Sequence, residues 1–223
     1  QKFNRDRMMM EKNCFMEQLL KRYPALSVCA EQIMRAYSIL EETYLNGGTV
    51  FTCGNGGSQS DADHIVGELS KGFLLKRSLP CEVVQQISSA LGEDAADLCS
   101  RLQMGLRAMN LSSQPALSTA YANDVDPLMS LAQELFVMGR TGDSVIGLST
   151  SGNAQNILNA FKVAGGLGIK RILFTGSGHG KCEKYADCVI NVPECETYKV
   201  QELHLPIYHT ICIMLEDRFH GEH

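Results

Sequence analysis

The sequence has no long apolar run. Its cleanest apolar stretches, such as RILFTG, are the length of a strand, so a membrane-spanning helix of about 20 apolar residues is excluded. It has no CxxC pair either. Nine cysteines stand at 14, 29, 53, 81, 99, 182, 188, 195 and 212, an odd and scattered set that suits neither a disulfide framework nor a zinc ribbon. They read as reduced, small apolar residues, and that usage points to the cytoplasm. A basic surplus is also missing: the formal net charge is −5 and is spread along the chain, which argues against a nucleic-acid groove or an anionic-membrane surface. The stretch QKFNRDRMMMEKNCF carries neither the apolar core nor the cleavage site of a signal peptide. No repeat of about 20–50 residues and no low-complexity tract occurs. What is present is a 223-residue chain, 44% hydrophobic and 20% charged, long enough for one sizeable core.

Residues 10–45 repeat apolar groups at helical spacing, first in FMEQLLKRY and then in VCAEQIMRAYSILEETYL, with Pro24 between them and Gly47-Gly48 after. Strand–loop–helix units follow: TVFTC into GNGGS, DSVIGLS into TSGN, and KRILFTG into SGHGK. A further short strand is DCVINVP, and a helix from about Thr197 to Phe219 closes the chain. Strands alternating with helices imply a parallel sheet covered on both faces. The expectation is one α/β doubly wound domain over residues 1–223, with extra N-terminal helices in residues 1–46. Residues 74–118 break this rhythm. They hold a short helix candidate (Asp94–Met104) and a strand candidate (Leu106–Leu111), and they either carry structure of their own or cover the site as a lid.

In open parallel sheets, ligands sit beyond the carboxyl ends of the strands. Two loops at such positions share their chemistry: GNGGS at 54–58 and STSGN at 149–153. Glycine lets backbone N–H groups approach a ligand, the following helix offers an electropositive N-terminus, and the hydroxyls of Ser58, Ser149, Thr150 and Ser151 can donate to phosphate oxygens. Neither loop is a dinucleotide fingerprint or a Walker loop. Any one Gly/Ser loop is more often just a turn or cap; two after successive strands point to a phosphorylated small molecule. GSGHG at 176–180 is weaker, and His179 reads as an exposed loop residue.

The helix after GNGGS carries Asp61, His64 and Glu68 at i, i+3 and i+7. His64 and Glu68 share a face, so they can bind one ion, orient one another, or form an ordinary solvated pair. VQELHLPIYH sets Gln201, His204 and His209 in an otherwise apolar helix, where each polar group should have a partner. One of the two histidines reads as a core residue. Gln201 and His209 are separated by about 80° and roughly 12 Å, so both reaching one ion needs long side chains, a second subunit, or a bend at Pro206.

Taken together, CGNGGSQSDADHIVGELSKGF, NDVDP, IGLSTSGNAQNILNAFKVA and VQELHLPIYHTICIMLE resemble the sugar isomerase (SIS) domain family, and within it the phosphoheptose isomerase branch. The similarity runs from about residue 30 to residue 219, with residues 74–118 standing outside it as an inserted segment. The resemblance implies an SIS-type, flavodoxin-like three-layer αβα fold and an aldose–ketose isomerase acting on sedoheptulose 7-phosphate through an enediol or enediolate. It implies a homotetramer, packed partly through residues 1–46, with sites where subunits meet. It places the phosphate on Asn55, Gly56, Gly57 and Ser58 and on Ser149, Thr150, Ser151 and Asn153, with Asp124 a further site residue. It places zinc on His64, Glu68, Gln201 and His209, a donor set that does not exclude manganese or nickel. Glu68 and His209 become the proton-moving pair. Three features depart from the family pattern: the 74–118 segment, Ala154 where a serine is usual, and Tyr198 and Lys199 where an aspartate and an arginine are usual. A non-catalytic SIS module that binds a sugar phosphate as a sensor, or binds a protein, is the alternative reading.

Overall fold

The computed structural model describes residues 14–221; the expectations for residues 1–13 lie outside that range. Helix α1 (residues 14–22) leads through a 3-10 turn, Pro24–Cys29, into α2 (Ala30–Leu45). The elements β1 (Val50–Cys53), α3 (Gly57–Ser70), α4 (Cys81–Leu91), α5 (Ala95–Arg101), β2 (Ala108–Asn110), α6 (Pro115–Asp124) and α7 (Ser130–Met138) follow. They are succeeded by β3 (Ser144–Leu148), α8 (Gln155–Gly166), β4 (Lys170–Thr175), β5 (Cys188–Asn191) and α9 (Thr197–His220).

The five strands form one parallel sheet in the order β2-β1-β3-β4-β5. The central strands β1 and β3 are buried along their whole length, which is why VFTC and SVIGL read as continuous apolar runs. Edge strand β5 alternates buried and half-buried residues. Side chains alternate across the pleat and sort into two cores. Val50, Ile146, Ile172 and Ile190 face α1, α2, α3 and α9, whereas Phe51, Val145 and Leu173 face α7 and α8. Each fully buried Ile, Leu or Phe contributes roughly 1.5–3 kcal/mol, so these faces hold the three layers together. Among the described residues no helix is long and apolar enough to cross a membrane.

Residues 74–118 do carry structure of their own. The helix expected at Asp94–Met104 is α5, shorter, and α4 precedes it. The strand expected at Leu106–Leu111 is β2, which pairs in register with β1 (Val50 with Ala108, Thr52 with Asn110). That part of the segment is therefore an integral sheet edge. Only three residues of strand, one of them fully buried, made its period hard to read.

Candidate active site

The strand order reverses between β1 and β3, and both Gly/Ser loops emerge there, at the carboxyl ends of the two central strands. Gly56, at φ +56°, precedes the first residue of α3 in a conformation that side chains rarely adopt. Gly152, in the second loop three residues before α8, is also at positive φ, +65°, and a Cβ there would stand 3.0 Å from the Gly180 Cα. Asn55 and Asn156 tie the two loops together with a reciprocal amide pair, Nδ2 to Oδ1 at 3.0 Å in one direction and 2.8 Å in the other. Gln201 reaches in from α9 and donates to Ser58 Oγ at 3.3 Å. The result is a cleft of about 140 Å³ lined by Asn55, Ser58, Ser149, Thr150, Ser151 and Gln201, with Thr197 at its edge. Among the described residues no lysine or arginine lines it. Its donors are neutral hydroxyls and amides beside the N-termini of α3 and α8, a composition suited to an anion.

Asn153, expected in the cradle, and Asp124, expected as a further site residue, are not among the residues that line this cleft. Asn153 shapes its own loop: its Nδ2 donates to the Ser151 carbonyl at 2.9 Å, and its Oδ1 accepts from the Lys181 N–H at 3.0 Å. Asp124 is exposed at the end of α6, accepting from Asn123 at 2.8 Å.

Further along α3 lies a second polar cluster. His64 Nε2 is 3.1 Å from Glu68 Oε1, and Glu68 Oε2 accepts from Lys71 at 3.1 Å. His64 Nδ1 is 3.1 Å from the Tyr208 hydroxyl, which donates to Asp61 Oδ1 at 3.0 Å. The His209 ring stands edge-on to His64 with centroids 4.9 Å apart. Burial, reinforced by the neighbouring His64, pushes the His209 imidazole below its ordinary range, with Glu68 opposing the shift. The His209 Nε2 is buried and has no hydrogen-bond partner among the described residues. His209 also lines a groove of about 440 Å³ between α1 and α9, with Arg22 and Phe73 on its walls. His204 is the core histidine: it is fully buried, its Nε2 lies 3.5 Å from the Thr175 carbonyl, and burial lowers its pKa to about 4.

The four expected metal ligands divide between these two places. Gln201 belongs to the cleft, and α9 continues through Pro206, so eight residues of helix, about 12 Å, separate it from His209. Among the described residues no three His, Cys, Asp or Glu side chains are disposed around a common point as a metal requires. The donor chemistry of His64, Glu68 and the unpartnered His209 Nε2 still suits zinc; the set is not preassembled. Sequence reasoning missed Tyr208 and Asn156. A hydroxyl inside an apolar helix directly before His209, and a second asparagine three residues after STSGN, were the available signals.

No family model matches the chain. A phosphoheptose isomerase from Helicobacter pylori (strain P12) is 32% identical to it over 195 residues, 87% of this chain and 88% of that protein. The chain belongs to the phosphoheptose isomerase family. Another relative, the phosphoheptose isomerase of Rhodospirillum rubrum, is 32% identical over 192 residues, 86% of this chain and 88% of that protein. Among solved structures, phosphoheptose isomerase GmhA from Neisseria gonorrhoeae aligns with a TM-score of 0.69 at 24% identity, covering 97% of this chain and 98% of that one. A phosphoheptose isomerase from Francisella tularensis aligns at 0.72 and 24%, covering 94% and 98%. At that identity the two structures share the fold, the three-layer SIS-type arrangement. As a member of the phosphoheptose isomerase family the chain is a phosphosugar isomerase.

Proposed function

We propose that the chain interconverts sedoheptulose 7-phosphate and a heptose aldose 7-phosphate by proton transfer through an enediol or enediolate. One observation carries the reading: a single helix begins in the anion cleft and bears His64 and Glu68 further along, with His209 of α9 against them. His64 lies six residues, about 9 Å, beyond Ser58, and helical side chains lean back towards the N-terminus. That spacing lets the phosphate and carbonyl ends of an extended sugar be held at once.

Glu68 is the base that takes a proton from the carbon beside the carbonyl, and the proton returns to the neighbouring carbon. Lys71 holds the second carboxylate oxygen and limits rotation of the group. His209, kept neutral by burial, has an unpartnered Nε2 to pass a proton between the two substrate oxygens. Ser58, Ser149, Thr150 and Ser151 bind the phosphate, Asn55 holds the two loops in register, and Gln201 holds Ser58. His64, Glu68, Gln201 and His209 are also the residues that would hold a divalent ion, zinc by its ligands, which when bound would polarise the carbonyl. The reading includes a cytoplasmic homotetramer, supported by the exposed Val125, Leu128, Phe136, Val137 and Met138 around α6 and α7.

Deuterium exchange at the carbon beside the carbonyl, followed over a panel of ketose phosphates, tests the chemistry. We expect exchange with sedoheptulose 7-phosphate and a loss of about 100-fold or more in Glu68→Gln. Measurable binding without exchange for any sugar phosphate would overturn the enzyme reading in favour of a non-catalytic module. Metal content of the purified protein, with His64→Ala alongside, tests the ion, and sedimentation tests the tetramer.

A further inference from the structure

The anion cleft holds less than a whole sugar phosphate. It encloses about 140 Å³, whereas small-ligand sites run to roughly 300–1,000 Å³. The groove between α1 and α9, at about 440 Å³, falls within that range. One row of α9 joins the two. Thr197 and Gln201 line the cleft, and Leu205, His209 and Ile213 line the groove. These residues stand at every fourth position, so they form a single ridge that rises about 6 Å per step. A ligand held at Gln201 therefore meets the groove one step along, at Leu205, and His209 at the next.

The facing wall of the groove comes from α1, where Gln18 and Arg22 stand one turn apart on one side of the helix. Arg22 lies over the Tyr23 ring, 5.4 Å from its centre. Much of the remaining wall is apolar, Phe73 and Pro206 included, so a few polar groups set which ligand oxygens fit. We infer that this groove is the subsite for the non-phosphorylated end of the sugar, and that Arg22 and Gln18 bind its oxygens. A guanidinium only donates, which suits a carbonyl or hydroxyl oxygen; an amide both donates and accepts, which suits a hydroxyl. The cleft then grips the phosphate that every sugar phosphate carries, and the groove measures how much sugar follows it. Arg22 and Gln18 are specificity-determining residues, outside both Gly/Ser loops and outside the His64, Glu68 and His209 cluster.

The inference rests on the reading that the cleft takes the phosphate, and calorimetric titration tests the two apart. The probes are inorganic phosphate, a three-carbon ketose phosphate and sedoheptulose 7-phosphate. Arg22→Ala should weaken the seven-carbon probe about tenfold, the low end for a charge-assisted hydrogen bond because the groove is open to water. It should weaken the three-carbon probe less and leave inorganic phosphate within about twofold. Gln18→Ala should give the same order with smaller losses. Leu205→Trp, which fills the groove at its first step, should weaken the seven-carbon probe and spare inorganic phosphate without any change to α1. An equal loss for all three probes in Arg22→Ala, or no loss for the seven-carbon one, overturns the subsite. So does a wild type that binds sedoheptulose 7-phosphate no more tightly than inorganic phosphate. Ser151→Ala should weaken all three probes alike; if it changes none, the cleft reading fails and the Arg22 series still decides the groove. None of these readouts needs turnover.

Discussion

Glu216 on α9 and Glu134 on α7 are each 1% exposed, and the fold surrounds them in opposite ways. Glu216 accepts from the backbone N–H groups of Phe73 and Leu74 at 2.7 Å and of Leu75 at 3.1 Å, and from Arg77 Nε at 2.8 Å. Burial alone would raise its pKa; those donors outweigh burial and hold the carboxyl below its usual range. Arg77 is itself buried and turns its other nitrogens onto the carbonyls of Leu69 and Glu68 at 2.6 and 3.0 Å. The pair therefore bolts the end of α3, immediately behind the proposed base, to α9. Glu134 has no hydrogen-bond partner on either oxygen among the described residues, and burial raises its pKa to about 7. Equal burial gives opposite charge behaviour, because fixed donors and not depth decide whether a carboxylate is tolerated.

The comparison breaks most severely at Arg77. Arg77→Met leaves Glu216 buried without its counter-ion and should lower stability by about 3–5 kcal/mol in urea titration. It should also raise hydrogen exchange at the end of α3. Adding Glu216→Leu should restore only part of the loss, because three backbone N–H groups then lack their acceptor, at about 1–3 kcal/mol each when unsatisfied. Full recovery in the double variant would show that the ion pair alone mattered.

Glu134→Gln should act in the other direction. The unfolded chain ionises this group near its ordinary value of 4.5 and the folded protein near 7, so the wild type loses stability as pH rises between those values. The substitution should gain on the order of 2–3 kcal/mol at pH 8, a gain that vanishes towards pH 4. Glu216 has the opposite sign: its contribution is present above the ordinary glutamate range and is lost as pH falls through its depressed folded value. Thermal melts of wild type and Glu134→Gln from pH 4 to 8 separate the two.

Smaller effects sharpen the same contrast at the surface and in the loops. Asn156→Ala removes the amide pair with Asn55 and should cost about 1 kcal/mol, with KM for the sugar phosphate rising and kcat nearly unchanged. Arg171→Ala breaks the bidentate pair with Asp187, whose side chains are 21% and 24% exposed, and should cost no more than about 1 kcal/mol, less at high salt.

Strands β1, β3, β4 and β5 and helix α9 lay close to where their apolar runs and bounding glycines put them, because buried parallel strands have no competing pattern. Helix α4 escaped notice although it is amphipathic: it buries none of its residues, so nothing in its spacing tied it to the core. Ser58, Ser149, Thr150 and Ser151 were expected together because each lies in a Gly/Ser loop after a buried strand, and the fold brings all four to one cleft. Asp124 and Asn153 were expected from the motif resemblance; Asp124 accepts from its neighbour Asn123, and Asn153 bonds both within its loop and to the Lys181 N–H.

By itself the sequence determined the layers, the two Gly/Ser loops and the pairing of His64 with Glu68, since periods of 2 and 3.6 residues and close local spacing are properties of the chain alone. Tertiary structure decided which side chains meet across elements. It brought Gln201 to Ser58 and not to His209, set Tyr208 between Asp61 and His64, and locked Arg77 onto Glu216 across 139 positions of sequence. Those contacts depend on how α3 and α9 lie against one another, and that follows from the packing of Ala62, Ile65 and Leu69 with Val200, Ile207 and Ile211 in one core. Such packing is a property of the assembled layers, which no single stretch of the chain contains.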